Sequence, residues 1–441
     1  MSQPPALPRL LLTLLSFVCI SGCAIHPEGE LEERERAELV MKVQDVELPD
    51  RPSIDNYLQY AFFHNADLES RYWEWRMAIE QIPQDASPPN LALSFDYMFS
   101  AGNMKAWDRT SLGATNDPMA NIPWPSKLET AGQRALEQAR AAGARFESAK
   151  FLLQGKVFTT YFDLALLAES MRIGEENIAL LQLILNQAAI RLQSGGSQQQ
   201  DLLQAQTELD LARNDLENQR ARVGPLSARF NVLLGRQADA VVPLPESLPS
   251  PRPLPVGDSE LIQIAAERSP ELRALANHIA GQEQSLRLAQ QAYIPDFSLN
   301  IGFTGSVSQT LGGIVTLPLR RDAISAGVKQ AQDGMRLAEA ARTQYERSLS
   351  ASFILNLTVL RNDERQISLF ENTIIPRARQ TVDIAQAAYA TSRIDFGELI
   401  RAQRTLIEAT LTTAQLKMER EKALVAIETW SAVDVEVMGG R

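Results

Sequence analysis

Apolar residues recur every three or four positions over most of the chain, which predicts helices that pack along one face. The two longest such segments run from residue 127 to near 192 and from residue 321 to near 390. At ~1.5 Å per residue each would reach about 100 Å, which is typical of a coiled coil or helical barrel rather than a compact globule. Shorter helices are expected at 54–82, 199–234, 259–292 and 396–433. Pro225 is expected to kink or break the second of these.

Four short segments instead alternate between apolar and small polar residues, which predicts β-strands. They are expected at 91–99, between Ala114 and Pro123, at 297–304 and at 311–319. About ten residues with one apolar and one polar face are typical of a strand in a membrane barrel, although a half-buried soluble sheet alternates in the same way. Four strands are too few to close a barrel, so strands in a membrane would require about two or three copies of the chain.

The order of elements occurs twice, which predicts two structural repeats. The clearest marker is Ala205-Gln206, which returns as Ala402-Gln403 within the same spacing of apolar residues. Extra residues in the first copy fall between Gly102 and Asn121, where a longer surface loop is expected. The expected organisation is a first repeat at 54–240, a proline-rich linker at 241–257, a second repeat at 258–433 and a tail at 434–441.

The N-terminus predicts export and lipid attachment. An apolar run from Leu10 to Ile20 has the length of a signal-peptide core and is too short to span a bilayer as a helix. The small residues before Cys23 look like a bacterial lipobox, in which this cysteine is acylated; a signal peptide with a chance cysteine is the alternative. Ala24 in place of an aspartate favours the outer membrane. Residues 1–22 are thus expected to be a signal peptide, and 23–53 a solvated, lipid-anchored tether.

The amino-acid composition limits which ligands and reactions the chain can support. The chain has 54 acidic and 43 basic residues and a net charge of -11, which disfavours nucleic acid as a partner. Once the signal peptide is removed, Cys23 is the remaining cysteine and carries lipid, which excludes disulfides and thiol chemistry. The three histidines have no metal-ligand spacing, and no phosphate-binding loop or metalloprotease pattern occurs. We therefore expect that the protein is not an enzyme, binds no metal and carries no cofactor beyond the covalent lipid on Cys23.

Three motifs, together with the duplication, carry a resemblance to a known family. They are Tyr293-Ile-Pro-Asp-Phe-Ser-Leu-Asn300, Leu317-Pro-Leu-Arg-Arg-Asp322 and Tyr389-Ala-Thr-Ser-Arg-Ile-Asp-Phe-Gly-Glu-Leu-Ile-Arg-Ala-Gln403. Because it has these motifs in this order, the chain resembles the TolC-like outer-membrane efflux channel family over residues 54–433. The resemblance implies a homotrimer, in which each chain adds four strands to a twelve-stranded outer-membrane β-barrel above a long helical coiled-coil barrel in the periplasm.

The resemblance also implies a function. Such a channel is the exit duct of a tripartite efflux system in a Gram-negative-type bacterium and works with a periplasmic adaptor protein and an inner-membrane pump. Lipid-anchored members of the family most often resemble the partners of proton-driven pumps that export small molecules or metal ions. This favours such a pump over a type I protein secretion system. Two other classes stay open, a periplasmic adaptor and a structural coiled-coil lipoprotein. The first would normally have one hairpin flanked by β-rich domains, and the second would lack the alternating strands.

Two turns between helices match the periplasmic tips of the family, at which adaptor hairpins dock. The residues concerned are Gly195 and Gly196 in the first turn and Thr391 and Ser392 in the second. Glycines allow a tight reversal with positive φ. Ser392 stands where the family usually has glycine, so the second turn departs from the pattern.

Three charged residues follow these turns and are the candidates for the periplasmic aperture. Asp201 and Glu398 occupy the same repeat position, and a trimer would assemble six such carboxylates into a ring that favours cations. Their alternative role is to stabilise helix N-termini through the macrodipole. Arg401 stands where many members have an acid, which favours a salt bridge within the tip over strong cation selectivity.

Overall fold

The computed structural model describes residues 24–41, 47–99, 102–116, 121–193, 198–252, 257–306, 308–391 and 393–432. Cys23, Gly195, Gly196 and Ser392 lie outside these residues, and what was predicted for them stays a prediction. The chain divides into two compact units. Unit 1 comprises Met1–Val43, Arg71–Phe146 and Glu271–Tyr345, and unit 2 comprises Gln44–Ser70, Glu147–Pro270 and Glu346–Arg441.

Helices form most of the described chain, which confirms the mainly helical fold class. In chain order the α-helices are α1 (Glu30–Met41), α2 (Ile54–His64), α3 (Ala66–Asp85), α4 (Pro125–Gln193), α5 (Gln199–Leu233), α6 (Asp258–Arg268), α7 (Pro270–Gln291), α8 (Arg321–Leu369), α9 (Ile375–Ala390) and α10 (Phe396–Ser431). A π-helical segment, Phe370–Ile374, joins α8 to α9.

The helix interruptions differ from those expected. Asn65 separates α2 from α3 because its side chain accepts a hydrogen bond from the backbone N–H of Leu68 at 2.9 Å and donates one to the Leu233 carbonyl at 2.9 Å. Ser269 separates α6 from α7, since a residue before proline disfavours the helical conformation. The break considered at Pro225 is wrong, because α5 continues through this residue.

The four strands form one antiparallel sheet in the order β1-β2-β3-β4. They are β1 (Leu91–Tyr97), β2 (Thr110–Asn116), β3 (Asp296–Thr304) and β4 (Ser308–Thr316). The prediction for the second strand is wrong in position, because β2 begins at Thr110, four positions before Ala114. Its pattern was weak because Leu112 is its only large apolar residue. The first copy does have the longer connection, since residues 98–109 join β1 to β2 and residues 305–307 join β3 to β4. Its predicted place between Gly102 and Asn121 is wrong in part, because Thr110–Asn116 form β2.

The register brings the large apolar side chains of the four strands, except Ile314, to one face. Directly opposed residues share a face, and Leu112 lies opposite both Phe95 and Phe303. The large apolar members of this face are Leu91, Leu93, Phe95, Tyr97, Leu112, Phe297, Leu299, Ile301, Phe303, Leu311 and Val315. The other face carries mostly small polar residues and glycine, namely Ala92, Ser94, Asp96, Ser111, Gly113, Thr115, Ser298, Asn300, Gly302, Thr304, Thr310, Gly312 and Ile314.

The segment expected to be a solvated tether contains a docked helix, so that interpretation is wrong for residues 30–41. α1 belongs to unit 1, where Glu30 and Glu33 are 4% and 5% exposed. The Glu33 carboxylate accepts a hydrogen bond from Trp75 Nε1 at 2.8 Å. Burial alone would raise the pKa of the Glu30 carboxyl, but contacts with His26 and Arg34 hold it below its usual value. These partners explain why an acidic segment packs instead of remaining in solvent.

Candidate functional site

The ends of four long helices meet in one apolar cluster of unit 2, called here the tip cluster. α4 and α5 form one hairpin, and α9 and α10 form the other. The buried members of the tip cluster are Leu181, Ile184, Ala205, Leu209, Ala385, Tyr389, Phe396, Leu399 and Ile400. Each helix contributes, so the two hairpins pack against each other next to the predicted tip turns.

Arg191 links the two hairpins at this cluster. The Arg191 guanidinium, near the end of α4, lies 4.2 Å from the centre of the Tyr389 ring and donates a hydrogen bond to the Tyr389 carbonyl. Tyr389 is 1% exposed, and its ring contacts Phe396 edge to face at 5.7 Å. A cation over an aromatic face is stabilising by about 0.5–2 kcal/mol, depending on desolvation. No local sequence pattern predicts this contact, because it joins residues from different repeats.

The electrostatics of Tyr389 bring a predicted aperture residue into the same site. Burial raises the pKa of the Tyr389 hydroxyl, and the Asp201 carboxylate raises it further, while Arg191 acts in the opposite direction. Asp201 in the first hairpin is therefore electrostatically coupled to the second hairpin.

Asp201 and Glu398 both lie in the first turn of a helix, α5 and α10 respectively. Asp395 caps α10, since its carboxylate accepts a hydrogen bond from the backbone N–H of Glu398 at 2.7 Å. These positions suit the helix-dipole role. Glu398 is also exposed, as a residue of a ring around an aperture would have to be.

The other described candidates lie apart from the Arg191–Tyr389 contact. Arg401 is exposed, and no ion pair joins it to another described residue. The ion pair found nearby instead joins Arg404 of α10 to Glu208 of α5, and this carboxylate raises the pKa of Arg404. Thr391 caps the end of α9 and is exposed; its hydroxyl donates to the Ala388 carbonyl at 3.1 Å.

The apolar face of the sheet forms a second candidate site in unit 1. Its side chains are strongly exposed, with Leu93 at 79%, Phe95 at 67% and Leu311 at 80%. Aromatic side chains stand at both ends of the sheet. Tyr97 contacts Phe99 at one end, and Trp124 contacts Phe297 at the other. We call this second end, where β1 and β3 begin, the sheet base.

The residues after Cys23 contact the segment that precedes β1. The backbone N–H of Ile25 donates to the Ala86 carbonyl at 3.2 Å, five residues before β1 begins at Leu91. Lys127 joins the start of α4 to the start of β3 through an ion pair with Asp296 at 2.7 Å.

Neither a metal-binding cluster nor an apolar membrane-spanning helix occurs within the described residues. No group of three His, Cys, Asp or Glu side chains there is arranged to hold a metal ion. No helix in the described part of the chain is long and apolar enough to cross a membrane.

Comparisons with known proteins agree on one family. Residues 58–236 match the outer membrane efflux protein family. The chain is 25% identical to the pyoverdine export outer membrane protein OpmQ of Pseudomonas putida, over 72% of this chain and 70% of OpmQ. It is 23% identical to the cobalt-zinc-cadmium resistance protein CzcC of Cupriavidus metallidurans, over 69% of this chain and 72% of CzcC. The structure of VceC from Vibrio cholerae covers 86% of this chain and 95% of its own, with a TM-score of 0.74 and 15% identity.

Proposed function

We propose that the chain is a TolC-like outer-membrane efflux channel and that three copies of it form one exit duct. Each copy supplies four strands to a twelve-stranded barrel, and the long helices continue the duct into the periplasm. The observation that carries this proposal is the sheet: its apolar face is exposed, its other face is small and polar, and β1 and β4 are open edges. Unpaired edges in hydrocarbon leave backbone groups that cost several kcal/mol each, which favours closure by further copies.

The strand dimensions support insertion of this sheet into a bilayer. β3 and β4 have nine residues each, and a tilted transmembrane strand needs about 9–11. Aromatic residues at both ends of the apolar face are typical of the two membrane interfaces.

Acylation of Cys23 is the proposed anchor and the only covalent cofactor. Support comes from Ile25, two residues later, which is hydrogen-bonded to Ala86, five residues before β1 begins. An acyl chain on Cys23 would therefore start beside the barrel, at the leaflet facing the periplasm, without a long tether.

The chain is the outer-membrane component of a tripartite efflux system, which implies an adaptor and an inner-membrane pump as partners. We propose a proton-driven pump, and small molecules or metal ions as cargo. OpmQ is named for pyoverdine export and CzcC for cobalt, zinc and cadmium resistance, and neither name points to protein secretion. We propose no catalytic activity.

The proposed periplasmic entrance comprises the tip turns and the aperture residues behind them. Gly195, Gly196, Thr391 and Ser392 are proposed to receive the adaptor, which is supported by the packing of both hairpins into the tip cluster beside these turns. Asp201, Glu398 and Arg401 are proposed to line the aperture. Exposure of Glu398 and Arg401 supports their access to a neighbouring copy or to the transported ions.

The test is reconstitution of the purified, lipidated protein into planar bilayers. We expect a detergent-requiring trimer that conducts ions, because closing the sheet requires the other copies. The Cys23→Ser variant should lose its acyl anchor but still require detergent, since the exposed apolar face remains. A stable soluble monomer of this variant, without conductance, would contradict the proposal and favour an adaptor or a structural lipoprotein.

A further inference from the structure

Two adjacent arginines, Arg320 and Arg321, lie just beyond the sheet base. β4 ends at Thr316, which pairs with Asp296 at the start of β3, and three residues separate Thr316 from Arg320. Both arginines are exposed, and neither forms an ion pair within the described part of the chain. They therefore add two positive charges to the sheet base that no described carboxylate neutralises by contact.

The first two cations of α4, which begins at this end of the sheet, are paired. Lys127 contacts Asp296 at 2.7 Å, and Arg134 contacts Asp85 at 2.7 Å. Asp322 follows the two arginines in the first turn of α8, where the helix macrodipole already favours an acid. The same macrodipole disfavours cations at this position, so helix stability does not explain why two arginines stand here.

The surroundings of the arginines are apolar and aromatic. Leu317 and Leu319 directly precede them and are 62% and 81% exposed. Trp124 and Tyr293, at the same end of the sheet, are 50% and 46% exposed. Exposed tryptophan and tyrosine beside leucine are typical of the interface between hydrocarbon and headgroups. In the inserted duct the arginines would thus stand at the depth of phospholipid phosphates.

We propose that Arg320 and Arg321 bind the phosphate groups of anionic phospholipids in the leaflet that faces the periplasm. The inference rests on the proposed insertion of the sheet and adds a lipid preference to it. The guanidinium fork matches phosphate oxygens in a bidentate manner, and a net negative headgroup offsets both charges. In the trimer the site is repeated three times around the barrel.

The test uses the full-length lipidated protein in liposomes that contain brominated phosphatidylglycerol or brominated phosphatidylcholine. Bromine quenches nearby tryptophan, and a Trp107→Phe background leaves Trp124 as the tryptophan of the sheet segments. We expect phosphatidylglycerol to quench Trp124 at lower mole fraction than phosphatidylcholine does. Each basic residue near an anionic surface contributes about fivefold to lipid binding, so Arg320→Gln and Arg321→Gln should each lower the preference about fivefold, and the double variant more.

The control is Arg347→Gln, an exposed arginine further along α8, which should keep the preference. Replacement of both arginines by lysine should retain part of it, because the charge remains while the fork is lost. A wild-type protein without the preference, or a double Gln variant that keeps it, would overturn the inference. Conductance is measured in the same lipids. If the protein conducts but shows no preference for phosphatidylglycerol, only this inference is wrong. If the protein neither inserts nor conducts, the proposed duct is wrong as well.

Discussion

At the scale of single residues, a buried carboxyl group without a hydrogen-bond partner lowers the stability of the fold when it is charged. Asp363 of α8 is 6% exposed, and its Oδ2 has no hydrogen-bond partner among the described residues. Burial raises the pKa of this carboxyl above its ordinary value of 3.8, and the neighbouring Glu419 raises it further. The carboxyl therefore binds its proton more tightly in the folded protein than in the unfolded chain. Its contribution to stability is fully present below the ordinary pKa and is lost as the pH rises through the value in the folded protein.

Replacement of Asp363 by asparagine removes the charge that folding disfavours. We expect Asp363→Asn to raise the free energy of unfolding by roughly 1 kcal/mol at pH 7, the scale of a buried group without a partner. The gain should disappear below about pH 4, where the aspartate is protonated in both states. Thermal unfolding of the detergent-solubilised protein at both pH values measures this, with the exposed Asp333→Asn as control. Equal midpoints for wild type and Asp363→Asn at pH 7 would contradict the expectation.

At the scale of elements, one glycine determines how closely α1 approaches the rest of unit 1. A Cβ on Gly143 of α4 would lie 2.8 Å from both the Glu33 carboxylate and the Trp75 ring. No real Cβ contact is this short, and the buried Trp75 ring has little room to move. The close approach of α1, and with it the Glu33–Trp75 hydrogen bond, depends on the missing side chain.

Alanine at this position should loosen α1 although alanine favours helices. We expect Gly143→Ala to cost about 1–3 kcal/mol through overpacking and to expose Arg34 and Arg36 to trypsin. Gly327→Ala in α8 is the matched control, because nothing lies within 4 Å of its Cβ; it should be neutral or stabilising. The rate of tryptic cleavage within α1 compares the two variants. Unchanged cleavage in Gly143→Ala would show that α1 can move aside without loss.

At the scale of the whole molecule, the contact between Arg191 and Tyr389 joins two hairpins that come from different repeats. The proposed entrance lies where these hairpins end, so a contact that holds them together also limits the opening. Three such contacts in a trimer, each of about 0.5–2 kcal/mol, would act together on the entrance.

Removal of this contact should therefore open the duct. We expect Arg191→Ala to raise the mean conductance of the trimer in planar bilayers several-fold, with Arg191→Lys in between because lysine retains the charge over the ring. Arg172→Ala is the control, since Arg172 pairs with Glu169 and Glu176 of its own helix and joins no second hairpin. Conductance that stays the same in Arg191→Ala would rule out a role of this contact at the entrance.

The sequence by itself determined the features that depend on period and local order. Hydrophobic spacing predicted the long helices α4, α5 and α10 to within a few residues, and strand alternation predicted β1 and β3. The duplicated plan and its motifs were enough to predict the family. Local periodicity carries this information because helices and strands repeat their buried positions at 3.6 and 2 residues.

The tertiary structure decided what depends on partners distant in sequence. β2 has one large apolar residue, so its position follows from pairing with β1 and β3 rather than from its own pattern. From its sequence α1 was predicted to be a solvated acidic segment. In the structure Trp75 donates a hydrogen bond to Glu33, and Gly143 leaves the space that Glu33 occupies. The Arg191–Tyr389 contact likewise joins residues almost two hundred positions apart. Such contacts depend on long-range packing, which no local pattern of residue types encodes, and they determine how the entrance and the N-terminus are held.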